Sequence, residues 1–379
     1  ERAAEAVYSG ERLVVDALFG AGLSRPIAGE PERWIEQLRA ESVTVVAIDL
    51  PSGVPGDAGA ITGAAFRSAL TVTFHARKPA HIIEPFAEMC GEIVCADIGV
   101  PEGWQHVVAP IARENAPPDW PEVRLSDGTA HKHQRGRVAV FSGGARATGA
   151  ARLAARAALR SGAGLVTVCS PPSASLVNAS QLTTEMLARW TGGSDTARLL
   201  ADLRAQAAVL GPGMGVGEAT RDAVLSALSA GMPLVLDADA LTSFAECPDT
   251  LFQALHEACV LTPHQGEFDR VFGSGRDRTN KLDRTIEAAE TAGCTVLLKG
   301  PATVIASPGM TPRINRHASP WLATAGSGYV LTGIIASGLA SGMAPDDAAA
   351  GAAWLHGDAG RQLGAGLIAE DLPEVLPVV

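Results

Sequence analysis

The chain has 379 residues, 47% of them hydrophobic and 19% charged, and a formal net charge of −11. That length is enough for two domains with substantial cores, while the acidic balance argues against non-specific nucleic-acid binding or attachment to an anionic membrane. No apolar run approaches a membrane span and no signal peptide is expected. Six cysteines, Cys90, Cys95, Cys169, Cys247, Cys259 and Cys294, lack CxxC spacing. They read as buried, reduced thiols of a cytoplasmic protein and not as a zinc site.

Short β-branched runs alternate with helical stretches, the pattern of βα units around a parallel sheet. "RLVVDALF", "VTVVAIDL", "LTVTF" and "EIVCADIG" are the first strands, with a helix at "PERWIEQLRAE". The chain opens at Glu1 and enters a strand with little before it, so an amino-terminal truncation is expected. The first strand ends at Asp16 and is followed by a small-residue loop, Gly20, Ala21, Gly22, Leu23, Ser24, Arg25 and Pro26. The second ends at Asp49 and turns through Pro51, Ser52 and Gly53. Two strand-terminal aspartates on neighbouring strands suit a shared cation or a proton-transfer centre; each also suits a helix cap or a turn.

"ARENAPPDWPEV", residues 112–123, breaks the pattern with prolines and charge and reads as a linker. It divides a first domain, 1–111, from a second, 124–379. The second series of strands is "GRVAVFSGG", "GLVTVCS", "AAVLGPG", "PLVLDAD", "ACVLTPH" and "TVLLKG". Two long small-residue helices, about 327–341 and 345–363, follow.

Chemistry in open α/β sheets collects at the carboxyl ends of strands. The loop after "VAVFSGG" offers backbone amides at Gly143, Gly144, Gly149 and Ala150, and "VLGPGMG" offers Gly211 and Gly213 around Pro212. His264 in "LTPHQGEF" suits either a ligand contact or a helix cap. Lysine occurs only four times, at Lys78, Lys132, Lys281 and Lys299. Lys299 closes an apolar strand ahead of Gly300, an odd place for a solubilising charge and a good one for a phosphate contact. Gly326, Ser327 and Gly328 open an apolar helix, where free N–H groups and the positive end of the dipole form an anion cradle. The bulky Tyr329 is out of character there.

In this order the second-domain loops resemble the ADP-dependent NAD(P)H-hydrate dehydratases of the ribokinase-like superfamily, over about residues 124–379. The resemblance implies an α/β/α fold and conversion of the S-hydrate with ADP to NAD(P)H, AMP and phosphate. It implies hydrate contacts at Ala150, Gly213 and His264. It also implies an adenine-nucleotide site at Lys299, Gly300, Pro301, Ala302, Thr303 and Gly328, with Mg2+ as cofactor. The family's next residue is an aspartate base; Tyr329 stands in its place, and a phenol with an unperturbed pKa near 10 accepts a proton poorly at neutral pH.

The first domain resembles the carboxyl half of the Rossmann-like NAD(P)H-hydrate epimerase domain, through "LTVTFHARKPAH" and "CGEIVCADIGVP". That resemblance implies a potassium site at Asp16 and Ser52, hydrate binding by loop 20–26, and proton transfer at Asp49. The family's amino-terminal half is absent, so vestigial epimerisation is expected. The substrates implied are NADHX and NADPHX, in a homo-oligomer with no nucleic-acid or membrane partner. A ribokinase-like kinase acting on a small alcohol with ATP, and a nucleotide-binding pseudoenzyme, are the competing readings.

Overall fold

A computed structural model describes residues 13–376 apart from 24, 61–62, 105–106, 118, 121–134 and 275–279. The chain divides into two compact units, Glu1–Ala112 with Gly275–Arg284, and Arg113–Ser274 with Thr285–Val379.

The first unit carries four parallel strands in chain order: β1 (Leu13–Asp16), β2 (Thr44–Ile48), β3 (Leu70–Phe74) and β4 (Glu92–Ala96). Helix α1 (Glu30–Ala40) has Pro and Glu in its first turn and Arg39 in its last, as the helix dipole favours. Ile35 and Leu38, one turn apart, bury its inner face with Val45, Ile27 and Phe66. Pairing of Asp16 with Ala47 brings the ends of β1 and β2 to one edge, where Asp16 and Asp49 emerge.

The second unit is built on ten strands: β5 (Arg113–Glu114), β6 (Arg137–Phe141), β7 (Leu165–Ser170), β8 (Met186–Arg189), β9 (Ala207–Leu210), β10 (Leu234–Leu236), β11 (Cys259–Leu261), β12 (Thr295–Leu298), β13 (Thr303–Ala306) and β14 (Arg313–Asn315). Their order is β5-β14-β13-β12-β11-β10-β9-β6-β7-β8. All pairs are parallel except β12–β13 and β13–β14. The central strands are buried on both faces, as a parallel sheet requires. Along β6, Val138 and Val140 enter one core while Ala139 and Phe141 enter the other.

Helices α2 (Gly149–Arg160), α4 (Ser327–Ala340) and α5 (Pro345–Leu363) contribute to the first of those cores, and α3 (Gln265–Phe272) to the second. Helix α4 is buried all round from Val330 to Ala340, which is why its sequence shows no amphipathic stripe. Its small residues are needed inside the unit: a Cβ on Gly333 would lie 2.1 Å from the Ala154 carbonyl oxygen of α2. Gly333→Ala therefore forces the two helices apart, and a loss of about 1–3 kcal/mol is expected in urea unfolding.

Part of the expected linker at 112–123 belongs to the second unit's sheet. Arg113–Glu114 pairs with β14, and the buried Asn115 side chain donates to Asn315 Oδ1 and the Ala350 carbonyl, both at 2.8 Å. The prolines that read as a break come after this two-residue strand, so they did not mark where the pairing begins. Strands β5, β8, β13 and β14 were not expected; each is short, and β5 and β8 are the edge strands.

Candidate functional site

The loops after β6, β9, β10 and β12 meet at the start of α4. A Cβ on Gly143 would fall 1.7 Å from the Gly213 carbonyl oxygen, so these two loops touch backbone to backbone. Gly213 takes φ +71°, and a Cβ there would be 3.4 Å from that of Ala150. Ala150 and Gly213, named from separate motifs, are neighbours.

The next loops supply charge. Asp237 follows β10 and is 1% exposed. Its Oδ1 accepts a 2.7 Å hydrogen bond from Lys299 Nζ, while its buried Oδ2 has no hydrogen-bond partner among the described residues. Lys299 Nζ also lies 3.9 Å from Glu267 Oε2. A Cβ on Gly328 would be 3.3 Å from Lys299 Nζ and 4.0 Å from Asp237 Oδ2, so the first turn of α4 sits directly over this ion pair. Gly300, Pro301, Ala302 and Thr303 form the turn from β12 to β13, tied by Thr303 Oγ1 donating to the Gly300 carbonyl at 3.1 Å.

The cradle is narrower than the sequence implies. Gly326, with φ +97°, starts the helix. Its carbonyl accepts the Tyr329 N–H at 3.0 Å, and Thr324 accepts a long 3.4 Å bond from Ser327 N–H. The Ser327 hydroxyl donates inward to the Leu322 carbonyl. Gly326 and Gly328, but not Ser327, keep an N–H without an acceptor among the described residues. The Ser327 carbonyl is held by His356 Nε2 at 2.9 Å; burial lowers this imidazole to about 4, so it donates as a neutral ring. Tyr329 is half-buried, and burial, then the charges of Asp237 and Asp239, raise its phenol above the ordinary value.

His264 caps α3. Its Nδ1 accepts from Gly266 N–H at 2.9 Å and Glu267 N–H at 3.4 Å, and its own N–H donates to Glu267 Oε2 at 2.9 Å. That reciprocal box satisfies orphan amides of the helix start; the ring is half-exposed, and its Nε2 lies 3.3 Å from Glu267 Oε1. Burial raises the Glu267 carboxyl, with Lys299 opposing.

In the first unit Asp16 and Ser52 meet. Asp16 Oδ1 accepts the Ser52 hydroxyl and Oδ2 the Ser52 N–H, both at 2.6 Å. Burial raises the Asp16 carboxyl, against the lowering effect of those bonds. Asp49, at φ +69°, accepts Ala21 N–H on Oδ2 at 3.1 Å, and Lys78 Nζ at 2.6 Å and Thr73 Oγ1 at 2.9 Å on Oδ1. Burial acts to raise this carboxyl; Lys78, the Ala21 amide and Thr73 outweigh it and hold it below the usual carboxylate range. Ala21, Gly22, Leu23, Arg25 and Pro26 line a cleft of about 790 Å³ together with residues of 53–60 and Gly63 and Ala64. Asp49 and Asp16 are not part of that lining. Ser24 lies outside the described residues.

A model of the NAD(P)H-hydrate dehydratase family matches residues 138–376, and one of the YjeF-related protein N-terminus matches residues 1–80. The bifunctional NAD(P)H-hydrate repair enzyme Nnr of Mycobacterium tuberculosis is 37% identical over 351 residues, 92% of this chain and 70% of the relative. The chain belongs to the NAD(P)H-hydrate repair enzymes. The Nnr of Moorella thermoacetica is 38% identical over 389 residues, 97% of this chain and 72% of the relative. Among solved structures, the Bacillus subtilis ADP/ATP-dependent NAD(P)H-hydrate dehydratase, co-crystallized with ATP/Mg2+, superposes with TM-score 0.57. It is 28% identical, over 66% of this chain and 91% of that one. A ribokinase-like superfamily protein of Enterococcus faecalis gives TM-score 0.58 at 26% identity, over 66% of this chain and 89% of that one. The expected fold class holds in both halves.

For this repair-enzyme chain, sequence reasoning passed over Asp237 and Lys78 as site residues. Each had a signal: Asp237 stands at a strand end in "LDADAL", and Lys78 is one of the four lysines. Among the cysteines, Cys90, Cys169, Cys259 and Cys294 are buried, and burial pushes the Cys259 thiol up to about 11; Cys95, by contrast, is exposed. No helix of the described residues is long and apolar enough to cross a membrane.

Proposed function

We propose that the second unit dehydrates (6S)-NAD(P)H hydrate with ADP, giving NAD(P)H, AMP and phosphate, and that wild-type turnover is limited by Tyr329. The observation that carries this reading is the acceptor-free Gly328 amide beside Lys299 at the start of a 14-residue helix. Backbone N–H, helix dipole and one cation together suit a diphosphate. Ala150, Gly213 and the half-exposed ring of His264 would bind the hydrate, and Lys299 to Thr303 the adenine nucleotide. The hydrate hydroxyl attacks the β-phosphoryl group, AMP leaves and a base takes the hydroxyl proton; the C–O bond of the resulting phosphate ester then breaks with loss of a proton from the neighbouring ring carbon, releasing phosphate and NAD(P)H. Magnesium fits the donor set: Asp237 Oδ2 has no partner among the described residues, and Glu267 stands across Lys299. These two carboxylates would hold it, and it would neutralise diphosphate charge.

In the first unit, the oxygen set of Asp16 and Ser52 suits a hard monovalent cation such as K+, and no ion pair to Asp16 occurs among the described residues. The proposal there is R/S hydrate interconversion with Asp49 moving the proton. It extends to a cytoplasmic homo-oligomer acting on NADHX and NADPHX, without nucleic-acid or membrane partners; light scattering tests the oligomer.

Titration calorimetry with ADP and with ATP tests the nucleotide site. ADP binding is expected in the wild type, and Gly328→Val should weaken it by about tenfold or more while the protein stays folded, because the side chain fills the cradle. ATP preferred over ADP would support a small-molecule kinase. Tyr329 favours one second reading, a protein that binds nucleotide without turnover; tight ADP binding with no phosphate released, even with hydrate supplied, would support it.

A further inference from the structure

We propose that Lys78 is the positioning residue of the first unit's proton-transfer centre: it closes one oxygen of Asp49 and leaves the other to the substrate. This rests on the reading of Asp49 as the proton-transfer group. The three N–H bonds of Lys78 Nζ are directed at Asp49 Oδ1 (2.6 Å), Thr73 Oγ1 (2.9 Å) and the Phe74 carbonyl (3.4 Å). An ammonium has three donors, so none is left for a ligand, and Lys78 acts through Asp49. Thr73 Oγ1 donates to the same Oδ1 at 2.9 Å. Among the described residues, Oδ2 receives the Ala21 amide alone, at 3.1 Å, on the side of the 20–26 loop. It lies so close to that loop that a Cβ on Gly20 would stand 3.0 Å away.

The arrangement is braced from behind. His81 is fully buried; its Nδ1 accepts the Lys78 N–H at 2.9 Å, and its Nε2 bonds the Asp49 carbonyl at 2.8 Å. One neutral ring thus ties together the main chains of both partners, burial holding its pKa below the ordinary value. The left-handed φ of Asp49 is a strained conformation for a non-glycine residue, and such strain persists where surrounding contacts over-determine it. Among the described residues, the charged and titratable groups around the carboxyl are Lys78 and His81; Arg77 acts on His81. Proton transfer needs a carboxylate that is ionised, single-faced and fixed, and Lys78 supplies all three conditions.

The test is the titration of Asp49, read by 13C NMR on the full chain with labelled aspartate and assigned with D49N. K78M should raise the proton affinity of Asp49 about tenfold or more, and K78R should return most of the change. In R/S hydrate interconversion, K78M should lose about tenfold or more in kcat with KM within about threefold, and the acid limb of the rate profile should move to higher pH. K78Q repeats the measurements should K78M unfold. An Asp49 titration unmoved by K78M and K78Q, or full kcat in either, overturns the role of Lys78. A wild-type chain without interconversion sinks the proton-transfer reading of this unit, and the titration still decides whether Lys78 sets the carboxyl.

Discussion

Tyr329→Asp is expected to raise phosphate release from ADP and hydrated NADH by roughly 10²–10⁴-fold, the usual worth of a positioned general base. Burial and the neighbouring charges of Asp237 and Asp239 hold the phenol above its ordinary value, so at neutral pH it carries its proton and cannot take another. A carboxylate at the same position would be ionised at that pH. The three acidic neighbours Asp237, Asp239 and Glu267 would raise its pKa, and Lys299 would oppose them. The sign follows: the variant's rate should fall as pH drops through that raised value. The Gly328 amide and Lys299 are untouched by the change, so KM for ADP should move little while kcat rises. Equal rates in the two proteins would rule out the tyrosine as the limiting feature.

Much of the architecture was legible because it rests on local chemistry. Helix α4 begins at Ser327, where the glycine loop ends, and α5 spans Pro345–Leu363, bounded by a proline and Gly364. The six apolar runs that read as strands in the second unit became its parallel strands, since burial on both faces demands continuous hydrophobicity. The loops at their carboxyl ends followed from the same topology. What could not be read were the pairings that only the sheet creates. Lys299 and Asp237 are 62 residues apart, and Lys78 and Asp49 are 29 apart. The scarcity of lysine flagged Lys299 and could have flagged Lys78, but it did not show that each is matched to an aspartate beyond a strand end. Likewise His264 is chemically ambiguous until its Nδ1 is seen accepting the amides of α3, and the role of His356 depends on α4 lying beside α5.

The pairing of Lys299 with Asp237 has a consequence of comparable size for stability. Lys299→Met leaves a carboxylate that is 1% exposed without its cation, and breaking such a pair typically costs about 3–5 kcal/mol. Unfolding of the second unit can be followed by Trp190, which is buried edge-on against Phe141. Removing the charge as well should recover most of the loss: in Lys299→Met combined with Asp237→Leu, the orphaned carboxylate is gone and the site becomes apolar. The two substitutions are therefore expected to be strongly non-additive, as for any contacting pair. Nucleotide binding separates the structural role of Lys299 from its ligand role. ADP affinity measured without magnesium, so that loss of the Asp237 carboxylate does not enter, should stay low in the double variant, because the cation next to Gly328 is missing whether or not the fold has recovered. A double variant that regained both stability and ADP affinity would show that Lys299 serves only to neutralise Asp237, and the diphosphate would then have to be held by the amide of Gly328 and the helix dipole alone.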